Sequence, residues 1–233
     1  MFRNSFTAAW AALAVFGAAM TTAAQPKAEA EAKALSGSEV LQSVADAMKD
    51  AEAVQYEVTQ LPGSGPNGEV RTARMTFNRP NLARIEMEDD NGRVILIVFD
   101  GKNRWYYFKD AHKYRKSEQK DDDLKALGTF GVLFLVKDAP GVVLKDTMNV
   151  AVRQDKLGDD AYTVVRWETA KATHELWIDE KKTIRRDDEL IDISGMVGKR
   201  TLEYRKIDLS PKLADDLFSF TPPDDATAVE PSK

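Results

Sequence analysis

Apolar residues recur at helical spacing early in the chain, then switch to a two-residue period that dominates the rest. Val40, Leu41, Val44, Ala47, Met48 and Ala51 form one stripe, opposite Gln42, Asp46 and Lys49. That spacing predicts an amphipathic helix lying on an apolar surface. Ser36 or Ser38 can cap it, with Glu39 in the first turn. From Val54 the chain alternates. Val54, Tyr56 and Val58 share one parity, as do Ala73, Met75 and Phe77, then Ala83, Ile85 and Met87. Turns are marked at Leu61–Gly68, Asp89–Gly92 and Asp100–Gly101. Val94–Phe99 and Trp105–Phe108 are bulky on both parities, and a short strand near Lys113–Lys116 follows.

A second helix is expected over 122–136, with Leu124, Leu127, Phe130, Leu133, Phe134 and Val136 as apolar positions. Ala139-Pro140-Gly141 is its stop. Strands resume at 147–154, 160–168, 172–179, 183–191 and 199–207, and a helical turn is expected near Pro211–Leu217. After Ala226 the pattern fades. Short strands with polar turns predict an α+β chain, mainly antiparallel β. About ten or eleven strands make a single sheet curl. The expected architecture is an incomplete curled β-barrel with helices covering its open concave side.

The N-terminal 24 residues have another logic. Arg3 precedes an apolar stretch from Phe6 to Met20, which ends in Thr21, Thr22, Ala23 and Ala24. This is the layout of a secretory signal cleaved near Ala23 or Ala24, with a membrane anchor as the alternative. The apolar stretch is shorter than the roughly 20 residues that span a bilayer. No cysteine is present, which excludes both a lipid anchor at the cleavage point and disulfides. The expected organisation is a signal at 1–24, a flexible leader at 25–37, one domain at 38–229 and a disordered tail at 230–233. The expected location is the periplasm. The full chain has 33 basic and 38 acidic residues, an excess that disfavours nucleic acid or an anionic membrane as main partner.

Three motifs in order resemble a known family. They are Asn78-Arg79-Pro80-Asn81-Leu82-Ala83-Arg84-Ile85-Glu86, then Val98-Phe99-Asp100-Gly101-Lys102-Asn103-Arg104-Trp105-Tyr106-Tyr107, and the ending Leu217-Phe218-Ser219-Phe220-Thr221-Pro222-Pro223 with Val229. This series resembles LolA-like periplasmic carriers of outer-membrane lipoproteins. The resemblance implies a half-open barrel closed by helices that shelters acyl chains. It implies a monomeric carrier of lipoprotein or lipid ligands, with an inner-membrane donor and an outer-membrane acceptor as partners. It also implies that Arg79 points inward and latches the helical lid. The parity of Ala73, Met75, Phe77 and Arg79 agrees with that direction, although Arg79 beside Pro80 could instead reach water. The cavity wall is expected to draw on Met75, Phe77, Ile85, Met87, Trp105, Tyr107, Leu127, Phe130, Phe134, Leu41, Val44 and Met48. For Trp105 and Tyr107, plain core packing is the competing reading. Polar departures at Glu118–Asp123 and Arg185–Glu189 weigh against a lipoprotein cargo more than against the fold.

No catalytic, metal or cofactor motif stands out. His112 and His174 lack a second ligand at metal spacing and read as surface or pocket-rim residues. Ser64 sits in a turn with no helix after it. Asp121–Asp123 suit helix capping better than Ca²⁺ binding. Asp187-Asp188-Glu189 reads as a solvated strand and turn. The expectation is therefore a non-enzymatic carrier without cofactors. The alternative is a structural or sensing envelope protein that binds a protein partner and no lipid.

Overall fold

A computed structural model describes residues 35–61, 71–89, 91–125, 127–193 and 196–229. The signal segment, most of the leader, most of the 61–68 turn, Asp90 and the tail at 230–233 lie outside the described residues.

Helix α1 (Gly37–Ala47) begins at Ser36 through a capping box. The Glu39 amide donates to Ser36 Oγ at 3.2 Å, and the Ser36 amide donates to Glu39 Oε2 at 2.7 Å. Val40, Leu41 and Val44 form its buried face. Six strands follow: β1 (Ala53–Gln60), β2 (Arg71–Asn78), β3 (Leu82–Asp89), β4 (Val94–Asp100), β5 (Asn103–Phe108) and β6 (Lys113–Glu118). Three short helices come next, α2 (Asp121–Lys125), α3 (Gly128–Leu135) and α4 (Ala139–Val143). The second half adds β7 (Met148–Leu157), β8 (Asp160–Glu168), β9 (Ala172–Ile178), β10 (Ile184–Ile193), β11 (Met196–Asp208) and the two-residue β12 (Thr227–Ala228).

All strands join one open sheet in the order β12-β6-β5-β4-β3-β2-β1-β11-β10-β9-β8-β7. Every pairing is antiparallel except β12 with β6. Strands far apart in that order, such as β4 (Phe99) and β8 (Trp167), belong to one buried cluster with α1 and α3. The sheet therefore curls around the helices without closing, as expected of a sheet this wide.

Two local expectations are corrected, and the end of the chain adds a pairing. The helix expected over 122–136 is broken, because Gly128 adopts a left-handed φ of +78°. Ala139-Pro140-Gly141 opens α4 instead of ending a helix, with proline in the first turn where its missing amide costs nothing. The stretch after Ala226 is ordered as far as Val229. The Thr227 amide donates to His112 O, and the Val229 amide to Tyr114 O, both at 2.8 Å.

Candidate functional site

The pairing register decides which side chains share the concave face. Tyr56, Met75, Ile85, Ile97, Tyr106 and Arg115 lie in one row across β1 to β6. The next row is Val58, Ala73, Met87, Ile95, Phe108 and Lys113. Tyr56, Phe77, Phe130 and Phe134 are essentially buried, so this is the face that the helices cover.

The expected wall residues divide into three groups. Leu41, Val44, Met48, Leu127, Phe130, Phe134, Phe77 and Ile85 are all buried in one packed cluster beneath α1 and α3. The Tyr56 and Phe130 rings lie 4.3 Å apart, and Phe77 stacks on Phe134 at 6.5 Å. This region is core, filled by side chains apart from a gap of about 60 Å³ beside Val44, Met48 and Phe130. Met75 and Met87 are partly buried at its margin. Trp105 and Tyr107 are on the other face: pairing with Val98 and Leu96 turns them outward, where Phe220 packs on both at 5.6 and 5.5 Å. Tyr106 and Phe108 take the inward positions instead.

Open space on this face lies toward the start of β2, beyond the packed region. Met87, Val94, Ile95, Phe108 and Ala111, with the charged Arg71, Arg93, Glu88, Asp89 and Asp110, line a cavity of about 350 Å³. That is near the lower end for small-molecule sites. At roughly 30 Å³ per water-sized group, it accommodates about a dozen methylenes.

Arg79 stands at the opposite end of β2. Its Nε and one terminal nitrogen donate to Phe134 O, at 3.1 and 3.0 Å. The same terminal nitrogen reaches Met48 O at 3.2 Å, and the other reaches Lys49 O at 2.5 Å. The guanidinium also lies 4.5 Å from the centre of the Phe134 ring. Met48 and Lys49 follow α1, and Phe134 is in the last turn of α3. One cation thus answers carbonyls at two helix C-termini, where the backbone dipoles concentrate negative charge.

The Asp100-Gly101-Lys102 motif has a local structural task. Asp100 accepts from the amides of Lys102 and Asn103 and from Trp105 Nε1, at 2.8, 2.6 and 2.9 Å. Burial alone would raise its carboxyl, but these bonds hold it below its ordinary value. Asp123 pairs with Arg104 at 2.5 Å, a contact the capping reading of the acidic triplet did not include. His112 is exposed and faces Asp225 at 2.6 Å.

The acidic run on β10 is corrected. Asp187 is buried on the concave side, where Thr129 of α3 donates to it at 3.3 Å. Burial, reinforced by the nearby Glu189, pushes its carboxyl up to about 7. His174 stacks on Trp167 at 5.0 Å, and burial lowers its pKa. A register shift between Ile184 and Arg186 changes the inward parity, which turns Asp187 toward the helices. Among the described residues no group of His, Cys, Asp and Glu could hold a metal ion. No helix there is long and apolar enough to cross a membrane.

Comparison with known proteins places this architecture. An uncharacterized conserved protein from Thermus thermophilus shares the fold, at 17% identity and a TM-score of 0.54, over 82% of this chain and 96% of that one. A LolA superfamily protein from Nitrosomonas europaea is also similar, at 12% identity and a TM-score of 0.38, over 80% of this chain and 99% of the other. An open curled sheet under a helical cover is the architecture that the alternation of the sequence predicts. An uncharacterized protein of Methanocaldococcus jannaschii is 27% identical over 191 residues, or 80% of this chain. The chain spans about half the length of that curated relative. The model of the DUF2092 family, described as "Predicted periplasmic protein", matches residues 37–231, and the chain belongs to that family.

Proposed function

We propose that this chain is an exported, non-enzymatic carrier of an acylated or lipid-like ligand, cleaved from its signal near Ala23 or Ala24. The ligand's apolar tail lies on the concave face along Met87, Ile95 and Phe108. The observation that supports this most is the cavity of about 350 Å³ on the concave face, on a sheet whose helical cover is held by the half-buried Arg79 at the other end of β2. Burying about a dozen methylenes contributes roughly 10 kcal/mol before losses. Association costs of about 4 kcal/mol or more leave at most about 6 kcal/mol, a Kd of tens of micromolar at best. A longer chain needs more room, which moving α1 and α3 off the sheet supplies. The closed form is then the empty one, and the Arg79 latch sets the balance between closed and open. Donor and acceptor membrane proteins remain part of this reading.

Binding of a fluorescent fatty acid to the purified protein tests it. Saturable binding competed by unlabelled acyl chains is the expected result, and no binding up to probe solubility refutes it. A protein partner without lipid is the second reading. Edge strand β7 favours it, because Met148, Val150 and Leu157 are exposed there.

A further inference from the structure

We propose that the concave face selects an amphiphile whose head group is anionic, held by Arg104 and Arg115 at the β5–β6 side. This deepens the apolar-ligand reading and rests on it. The register makes the concave surface change character from strand to strand. Met75, Ile85 and Ile97 precede Tyr106, and Arg115 ends the row; Met87, Ile95 and Phe108 precede Lys113. With strands about 4.8 Å apart and about 3.4 Å per residue, Arg115 lies roughly 8 Å and Arg104 roughly 14 Å from the cavity residue Phe108. A tail in the cavity therefore leaves its head within reach of the arginines.

Those cations are only partly answered by the protein. Arg104 and Arg115 flank the Tyr106 ring, at 5.3 and 4.8 Å from its centre. One terminal nitrogen of Arg104 is bound to Asp123, but its Nε is buried without an acceptor. Arg115 has no carboxylate partner among the described residues. A buried donor left unanswered is costly, so the site gains from an oxygen that accepts it. A carboxylate or phosphate supplies several such oxygens in the plane that guanidinium donors match, and a neutral hydroxyl supplies one without charge. The aromatic ring and the apolar rows beside the arginines limit screening by water. The shared chemistry is an anionic oxygen group on an alkyl chain.

Displacement of the neutral probe N-phenyl-1-naphthylamine tests this on the full mature chain. Competitors are dodecanoate, dodecyl phosphate, dodecanol and inorganic phosphate. The two charged amphiphiles are expected to displace the probe at about tenfold lower concentration than dodecanol. Inorganic phosphate is expected to displace none. Raising salt to about 1 M should narrow the gap. Arg115→Gln should bring dodecanoate down to the level of dodecanol; Arg104→Gln should do the same if it folds without the Asp123 pair. Equal displacement by dodecanol, or a preference that survives Arg115→Gln, overturns the head-group assignment and leaves the apolar-ligand reading standing. Displacement by phosphate alone overturns the amphiphile. Failure of every competitor and of the probe itself overturns the carrier reading along with it.

Discussion

Replacing Arg79 by leucine removes the cation and its donors while keeping an apolar stem. In the wild type Phe134 O accepts two bonds from Arg79 in a partly buried setting. Leaving that carbonyl unanswered costs about 1–3 kcal/mol. The Lys49 carbonyl is exposed, and water can replace what it loses, whereas that of Met48 is partly buried. They add about 1 kcal/mol together. The cation over the Phe134 ring contributes about 1 kcal/mol more. The variant is therefore expected to lose about 3–5 kcal/mol, which lowers the melting temperature by roughly 6–20 °C for a domain of this size. Urea denaturation gives the energy, and hydrogen exchange gives its location. Amides in the last turns of α1 and α3 should exchange faster, while those of Val164 and Val165 should follow global stability alone. Arg79→Lys should fall in between, because an ammonium cannot serve all three carbonyls from one plane. A loss below about 1 kcal/mol, or unchanged exchange at both helix ends, would refute the assignment of Arg79 as the joint between them.

Gly131 lets α3 approach β2 closely: a Cβ there would meet Leu127 Cβ at 2.8 Å and Phe77 Cζ at 3.2 Å. Gly131→Ala is expected to destabilise by about 1–3 kcal/mol in urea titrations despite alanine's better helix propensity; a stabilised variant would contradict that packing. Phe108→Ala should weaken acyl-probe binding about tenfold while the protein stays folded by circular dichroism, whereas undiminished affinity would remove Phe108 from the site. Asp187 faces Thr129 on α3, Asp188 and Glu189 on its own strand, and Arg200 and Tyr204 on β11. Its carboxyl titrates at about 7 when folded, against an ordinary 3.8, so between those values the folded chain holds a proton that the unfolded chain releases. Its stabilising contribution is complete below about 4, falls as pH rises, and is gone above about 7, a change of up to roughly 4 kcal/mol. His174, lowered by burial, acts in the opposite sense below its ordinary 6.5. Asp187→Asn should therefore gain on the wild type in urea midpoints from pH 5 to pH 7 and hold a constant lead above; parallel midpoints would show that Asp187 ionises freely.

The first half of the sheet was legible because only one of its faces is apolar. Gln55, Glu57, Arg74, Arg84 and Glu86 alternate with the core of β1 to β3, so parity assigned the inward side directly. It failed at β5, where both faces are covered. Phe220 lies on the outer side of Trp105 and Tyr107, and Arg84 donates to Leu217 O at 3.1 Å on that same side. A contact between residues more than a hundred positions apart leaves no mark on local periodicity. Arg79 was readable because a charged residue continued an apolar parity beside a familiar motif. Asp187 was not, because its strand contains a bulge and its neighbours are charged. The filling of the space beneath α1 and α3 follows from how Tyr56, Phe130 and Tyr204 meet, with ring centres 4.3 to 5.7 Å apart. Pattern gives the wall residues; only packing decides whether they enclose a hollow.

Mass spectrometry of organic extracts from the protein purified out of its native host tests the carrier claim most directly. The account predicts an acyl-bearing molecule near one per chain, strongly depleted in Phe108→Ala purified alongside. Extracts from the wild type with no acyl-bearing species above the level of an unrelated exported protein would contradict it.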